Sequence, residues 1–303
     1  MQFSTNLSNR VFIHLHSQWV GAKSIAHSFS SCRISSILFT SFLLGAISAT
    51  AQNASNVERS PDAIALIQRV LDASGGSASI MAIHDLVATG TLSTSAITQD
   101  TENGSVTISL RGVDQLRIDS TLPVGARSLS YNRGMASTKE KDGTVIGLGP
   151  KDAVSNISHF FPLEHLAAAL QDSSYYLTKP EIVAEKEIST NLYHFRLQQI
   201  SFEVAGNARR RTSSSVPLDY YVDPTTNCVV RVENRSDPRE PMGSDRGPSE
   251  IYRFSDYRME HGFLFPHQVS VSLNKDTLYT IRISNYLLNT GLTQADFSPN
   301  GKP

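Results

Sequence analysis

Cysteine is nearly missing from this 303-residue chain, which holds only Cys32 and Cys228. Cys32 falls in a leader expected to be removed. That leaves one thiol and excludes a disulfide-stapled scaffold. Cys228 alternates with Val230 and Val232, the pattern of a buried strand residue. No helix N-terminus or basic cluster stands beside it to make it a reactive thiol. Tryptophan occurs once, at Trp19 in the same leader. Charge of either sign is sparse, at 18% of residues, and the formal net charge is -1. The first 51 residues carry Arg10, Lys23 and Arg33 and no acid, so the remainder has 24 basic and 28 acidic residues. A nucleic-acid binder needs a basic face, and none is expected here.

Catalytic motifs are missing too. No G-x-S-x-G elbow, H-E-x-x-H helix, P-loop or EF-hand loop occurs in the sequence. The chain reads as non-enzymatic, with no cofactor and no metal. A hydrolase with a dispersed site has no positive signal. The six histidines after Ala51 are His84, His159, His165, His194, His261 and His267. None of their spacings places two imidazoles on one helical face, so surface or hairpin positions are expected.

A long hydrophobic run is also lacking. The apolar stretch from Ile34 to Ile47 covers 14 residues, short of the roughly 20 that span a bilayer as a helix. It follows Arg33 and ends in Ala49-Thr50-Ala51. A basic region, an apolar core and small residues at the cut are the grammar of a cleaved signal peptide. Residues 1–51 are therefore expected to be removed and the mature chain to begin at Gln52. An uncleaved anchor is the alternative. The product would be exported, as a soluble periplasmic or cell-envelope protein. No linker separates two cores, so 52–303 is expected to be one domain and a monomer.

What is present after the leader is mostly strand grammar. One helix opens at Ser60-Pro61-Asp62, with proline at the first helical position and an acid in the first turn. It ends at Gly75-Gly76, and a second short helix is predicted from Ser77 to Ile83. Beyond His84 the period becomes two. Val106, Ile108 and Leu110 alternate with Thr107 and Ser109, and Leu116 and Ile118 alternate with Gln115, Arg117 and Asp119. This predicts antiparallel strands with one wet face. Phe160-Phe161-Pro162 then leads an amphipathic helix to Asp172, with Leu163, Leu166 and Leu170 on one face, and residues 151–158 are expected to add a turn or two. Strands resume from Tyr193 to Ile283. Two polar stretches, Gly206–Ser215 and Asn234–Ser249, read as long surface loops. The first carries Arg209, Arg210 and Arg211, candidates for contact with anionic head groups or an acidic partner.

The second half resembles a family. Asp219-Tyr220-Tyr221-Val222-Asp223-Pro224-Thr225-Thr226-Asn227-Cys228-Val229-Val230-Arg231 is similar to the aromatic-x-Asp-Pro-x-Thr hairpin of LolA/LolB-type lipoprotein carriers. Phe254-Ser255-Asp256-Tyr257-Arg258 followed by Gly262-Phe263-Leu264-Phe265-Pro266 fits the same pattern, as does Asn289-Thr290-Gly291-Leu292 with Ala295-Asp296-Phe297. The resemblance implies an α+β fold: a strongly curved, incompletely closed antiparallel half-barrel with helices on its concave face. It also implies an apolar cavity for acyl chains. The cavity candidates are Val106, Ile108, Leu110, Leu116, Ile118, Phe160, Phe161, Leu163, Leu166 and Leu170. The expected partner is a lipid or an acylated protein. The alternative is an envelope regulatory or structural module with an envelope protein partner, using the same fold with a filled core. Helix 162–172 could seal an ordinary core or form a lid, since both need the same apolar face.

Overall fold

The computed structural model describes residues 57–95, 101–148, 159–185, 190–205, 208–213, 217–234, 250–274 and 276–301. The leader, the added turn at 151–158 and most of the second polar stretch lie outside the described residues. Helix α1 (Pro61–Ala73) opens with Pro61 in its first turn; Ser60 holds the cap position, but its hydroxyl makes no cap bond. Helix α2 (Ser77–Met81) follows, then strands β1 (Asp85–Thr94), β2 (Glu102–Arg111), β3 (Gln115–Leu122), β4 (Gly125–Asn132), β5 (Met135–Lys139) and β6 (Val145–Leu148). Helix α3 (Pro162–Gln171) divides these from β7 (Tyr175–Leu177), β8 (Glu181–Glu185), β9 (Thr190–Ala205), β10 (Ala208–Ser213) and β11 (Leu218–Val222). The series ends with β12 (Val229–Asn234), β13 (Glu250–Glu260), β14 (Phe263–Leu273), β15 (Asp276–Leu288) and a short 3-10 turn at Gln294–Phe297.

All strands join one antiparallel sheet in the order β10-β9-β11-β12-β13-β14-β15-β1-β2-β3-β4-β5-β6, with β7 and β8 also on β9. The order does not return to its start, so the sheet is open. Its centre is the β15–β1 pair, which joins the last strand to the first. Meanders then run outward in both directions.

The sheet is strongly curved. Tyr131 on β4 and Tyr252 on β13 stand six strands apart in the sheet order. In a flat sheet that is about 29 Å at the usual strand spacing. Yet the two phenols lie close enough for each to be felt electrostatically by the other. Curling the sheet brings them together across its concave side. A bulge contributes: the β1–β15 register shifts between Thr89 and Gly90, and such an extra residue bends and twists the strand that carries it.

The three helices fill the hollow. Leu66, Ile67, Val70 and Leu71 of α1, Ile80 of α2, and Leu163 and Leu166 of α3 join the inner residues of both sheet halves in one continuous hydrophobic core. Arg59 fixes α3 from outside its last turn. Its guanidinium donates to the Ala169 carbonyl at 2.5 Å, a cation at the helix C-terminus where the backbone dipole favours one.

Three expectations need correction. Arg209, Arg210 and Arg211 do not lie in a loop. They form β10, paired with Val204, Glu203 and Phe202 of β9. Backbone pairing needs only amides and carbonyls, so a segment without apolar alternation can still complete a hairpin. The outer face of β3 is not wet at Arg117 either: this residue is 4% exposed. The chain after β15 returns over it, and Arg117 donates to the Ser298 carbonyl at 2.9 Å while pairing with Asp119 at 2.7 Å. Cys228 is buried as expected, but it lies in the turn just before β12 rather than within a strand.

Candidate functional site

The five strand residues singled out by alternation share one face. Register places Leu110 beside Leu116 and Ile108 beside Ile118 on β2 and β3. On the other side, Leu86, Ala88 and Gly90 of β1 face Leu110, Ile108 and Val106. Because successive residues alternate faces, these rows form one apolar strip on the concave side. All five strand candidates are buried.

The helical candidates meet the other half of the same face. Phe160 lies edge-on to Tyr252 at 5.4 Å between ring centroids, and Phe161 lies 5.7 Å from Phe265. Leu163 and Leu166 are buried, while Leu170 is partly exposed. The concave face therefore gathers all ten candidates, from β2, β3, α3 and the two residues before it. Nine of the ten are buried in the structure as it stands. Arg209, Arg210 and Arg211 lie apart, on the β9–β10 hairpin.

Polar groups interrupt this apolar surface at defined points, and sequence reading missed them. His159 and His165 are 0% and 8% exposed, inside the half-barrel rather than at its surface or in hairpins. His267 is likewise buried. The ring of His159 stacks on Tyr252 at 4.5 Å. His165 Nδ1 shares a 2.7 Å hydrogen bond with the Tyr220 hydroxyl. Burial pushes the His165 pKa down to about 4, so it is neutral at physiological pH. Nothing in the spacing of these histidines signals a tyrosine opposite.

Two carboxyl groups are held near neutrality by the same low-dielectric surroundings. Burial raises the Glu250 pKa to about 7, opposed by a hydrogen bond from the Asn234 side chain. Glu164, in the first turn of α3, is raised to about 7 by burial and by the nearby charge of Asp114 in the β2–β3 turn. At another point of the concave face, Ile118, Ser120, Arg127, Leu129, Thr138 and Glu140 line a shallow, open recess. Arg127 and Glu140 approach to 3.4 Å there.

The outer face is tied down by charge. Asp85 receives the Thr290 amide at 2.6 Å, the Thr290 hydroxyl at 2.7 Å, the Gly291 amide at 2.9 Å and the Leu292 amide at 3.2 Å. Burial alone would raise its pKa, but these donors outweigh it and hold the carboxyl below the ordinary range. Asp219 accepts from His194 and Arg196 at 2.9–3.0 Å. These bonds overcome its burial and bring its pKa to about 2. Such contacts hold the shell in place; among the described residues no cluster has the donors of a metal site.

No family model matches the sequence, and no curated protein matches it. Solved structures do. One is a domain from Vibrio parahaemolyticus assigned to outer-membrane lipoprotein sorting, at 12% identity and a TM-score of 0.46, covering 78% of this chain and 97% of that one. A DUF1329 family protein from Desulfovibrio piger is 13% identical with a TM-score of 0.45, covering 78% and 98%. A LolA superfamily protein from Nitrosomonas europaea is 11% identical with a TM-score of 0.46, covering 77% and 97%. By its own strand order and helix placement the chain is an open antiparallel half-barrel with helices packed on its concave face. Among the described residues no helix is long and apolar enough to cross a membrane.

Proposed function

We propose that this is an exported, non-enzymatic binding protein that holds an acyl chain between the concave face of its sheet and helix α3. The supporting observation is the single apolar strip that joins Val106, Ile108, Leu110, Leu116 and Ile118 in register, with Phe160, Phe161, Leu163 and Leu166 buried in the same core. Burial of a methylene is worth about 0.8 kcal/mol. A twelve-carbon chain thus contributes on the order of 10 kcal/mol before ordering costs. That drives binding without any catalytic group. The partner in this reading is a free lipid or an acylated protein. Arg209, Arg210 and Arg211, consecutive on one strand of the β9–β10 hairpin, are the candidates to contact its anionic head group or an acidic envelope partner. The mature chain is proposed to run from Gln52 as one monomeric domain.

One observation favours a second reading. Nine of the ten cavity candidates are already covered by protein, as in an interaction module whose core is filled. A carrier must open this contact, and α3 is the element to move, since its Leu166 face meets the core. Native mass spectrometry of the purified protein separates the two. Co-purified lipid, released on unfolding, supports the carrier. A mass equal to that of the bare chain, from cells and from protein incubated with lipid, favours the module.

A further inference from the structure

The concave face carries one carboxyl group inside a group of tyrosines. Glu250 and Tyr252 are two residues apart on β13, hence on one face of the strand. Tyr252 faces Val271 of β14, and Val271 faces Tyr279 of β15, so the two tyrosines share a row across three strands. Tyr131 reaches the same place from β4, close enough to influence both phenols. Glu250 is 6% exposed and Tyr252 and Tyr131 are each 2% exposed. Asn234, its pairing partner on β12, donates to the Glu250 carboxyl. Among the described residues no lysine or arginine forms an ion pair with it. A carboxyl set in an aromatic interior is an expensive element for a plain core.

We propose that Glu250, Tyr252, Tyr279 and Tyr131 form a recognition site inside the half-barrel for the uncharged ester or amide group of an acyl ligand, and that they select such ligands against free fatty acids. This rests on the acyl-binding reading above. An ester or amide carbonyl accepts hydrogen bonds, and the Tyr279 phenol is a donor. A fatty-acid carboxylate would bring a second negative charge beside Glu250 in a medium that screens it poorly. The raised Glu250 pKa agrees with such poor screening. Specificity then comes from a penalty on the wrong head group as much as from contacts with the right one.

The test uses delipidated protein at pH 8 with three twelve-carbon probes: 1-monolauroylglycerol, lauramide and laurate. Wild type is expected to bind the ester and amide about tenfold or more tightly than laurate, a difference of about 1.4 kcal/mol. Glu250→Gln should improve laurate binding until most of that gap is gone. Tyr279→Phe, which keeps the ring and loses the hydroxyl, should weaken the ester and amide and leave laurate nearly unchanged. Circular dichroism melts confirm that each variant is folded. Equal affinity for all three probes in wild type would overturn the inference while leaving lipid binding intact. So would a gap that Glu250→Gln does not narrow. If none of the probes binds, the acyl-binding reading fails and the inference fails with it.

Discussion

Gly90 of β1 lies so close to Arg282 of β15 that a Cβ on Gly90 would sit 2.1 Å from the Arg282 carbonyl oxygen. The contact falls at the register shift in the central strand pair. Gly104 on β2 repeats it against the Thr121 carbonyl, at 2.0 Å. At both places the neighbouring backbone takes the space that a side chain would need. These two glycines are therefore conditions for the curvature that makes a concave face at all.

Gly90→Ala and Gly104→Ala should each destabilise the fold, because a backbone carbonyl yields less readily than a flexible side-chain end. Overpacking costs roughly 1–3 kcal/mol, and these sites belong at the upper end. For a chain of this size, about 3 kcal/mol lowers the melting temperature by roughly 6–12 °C. Gly147→Ala on β6, where a Cβ meets nothing within 4 Å, is the control and should melt with wild type. Thermal melts of the three variants check this. A Gly90→Ala protein as stable as the control would remove the steric explanation of the bend.

Asp85 should behave as the clasp of the C-terminal segment. Its folded pKa lies below its unfolded one. Its contribution is therefore fully present above the unfolded value of roughly 3.9 and is lost as pH falls below that toward the folded value. Asp85→Asn keeps the shape and removes the charge. At pH 7 it should cost about 1.5–3 kcal/mol, the usual worth of a charged hydrogen bond. Amide exchange at 290–292, where the three backbone donors sit, should speed up. Urea titrations of wild type and variant should converge as pH drops below about 4. A difference that stays constant down to pH 2 would contradict the assignment.

Glu250 carries the opposite sign. Its pKa is raised to about 7 in the folded state, against roughly 4.3 when unfolded. Between these values the folded protein holds a proton that the unfolded chain has lost, so stability falls as pH rises through the window. The groups near it are Asn234 of β12, Tyr252 of β13 and Tyr279 of β15, with Tyr131 of β4 beside the two tyrosines and His159 stacked on Tyr252. Glu250→Gln should match wild type at pH 4.5 and exceed it at pH 8 by on the order of 3 kcal/mol. Melts at the two pH values decide it. A variant less stable than wild type at pH 8 would show that the charged carboxylate is held by favourable contacts.

Much of the fold was legible because strands with one buried side write their period into the sequence. Val106, Ile108 and Leu110 alternate with polar residues, and the structure places all three on the concave strip. Turn chemistry was equally plain at Arg111–Gln115 and at Glu260–Phe263, where hairpins form. What stayed hidden depends on contacts distant in sequence. Arg117 reads as a wet-face residue until the chain 179 residues later lays the Asp296 carbonyl over it. His165 reads as a surface residue because its partner Tyr220 lies 55 positions away. Asp85 resembles any strand-edge acid, yet its donors are more than 200 residues downstream. Arg209 to Arg211 read as loop because pairing in a hairpin leaves no apolar trace.

If the concave face takes an acyl chain, lipid should shift the melting of delipidated wild type more than that of Leu166→Ala. Leu166 is fully buried on the inner face of α3, so its truncation should cost about 2–5 kcal/mol without ligand. A ligand that binds only the folded state raises stability by mass action, by about 2.7 kcal/mol at a hundred times its dissociation constant. Wild type should therefore gain melting temperature across a panel of fatty acyl esters, phospholipids and acylated peptides, and Leu166→Ala should gain less at the same concentrations. A wild-type melting temperature that no lipid in the panel moves, in protein verified as folded and lipid-free, would contradict the claim.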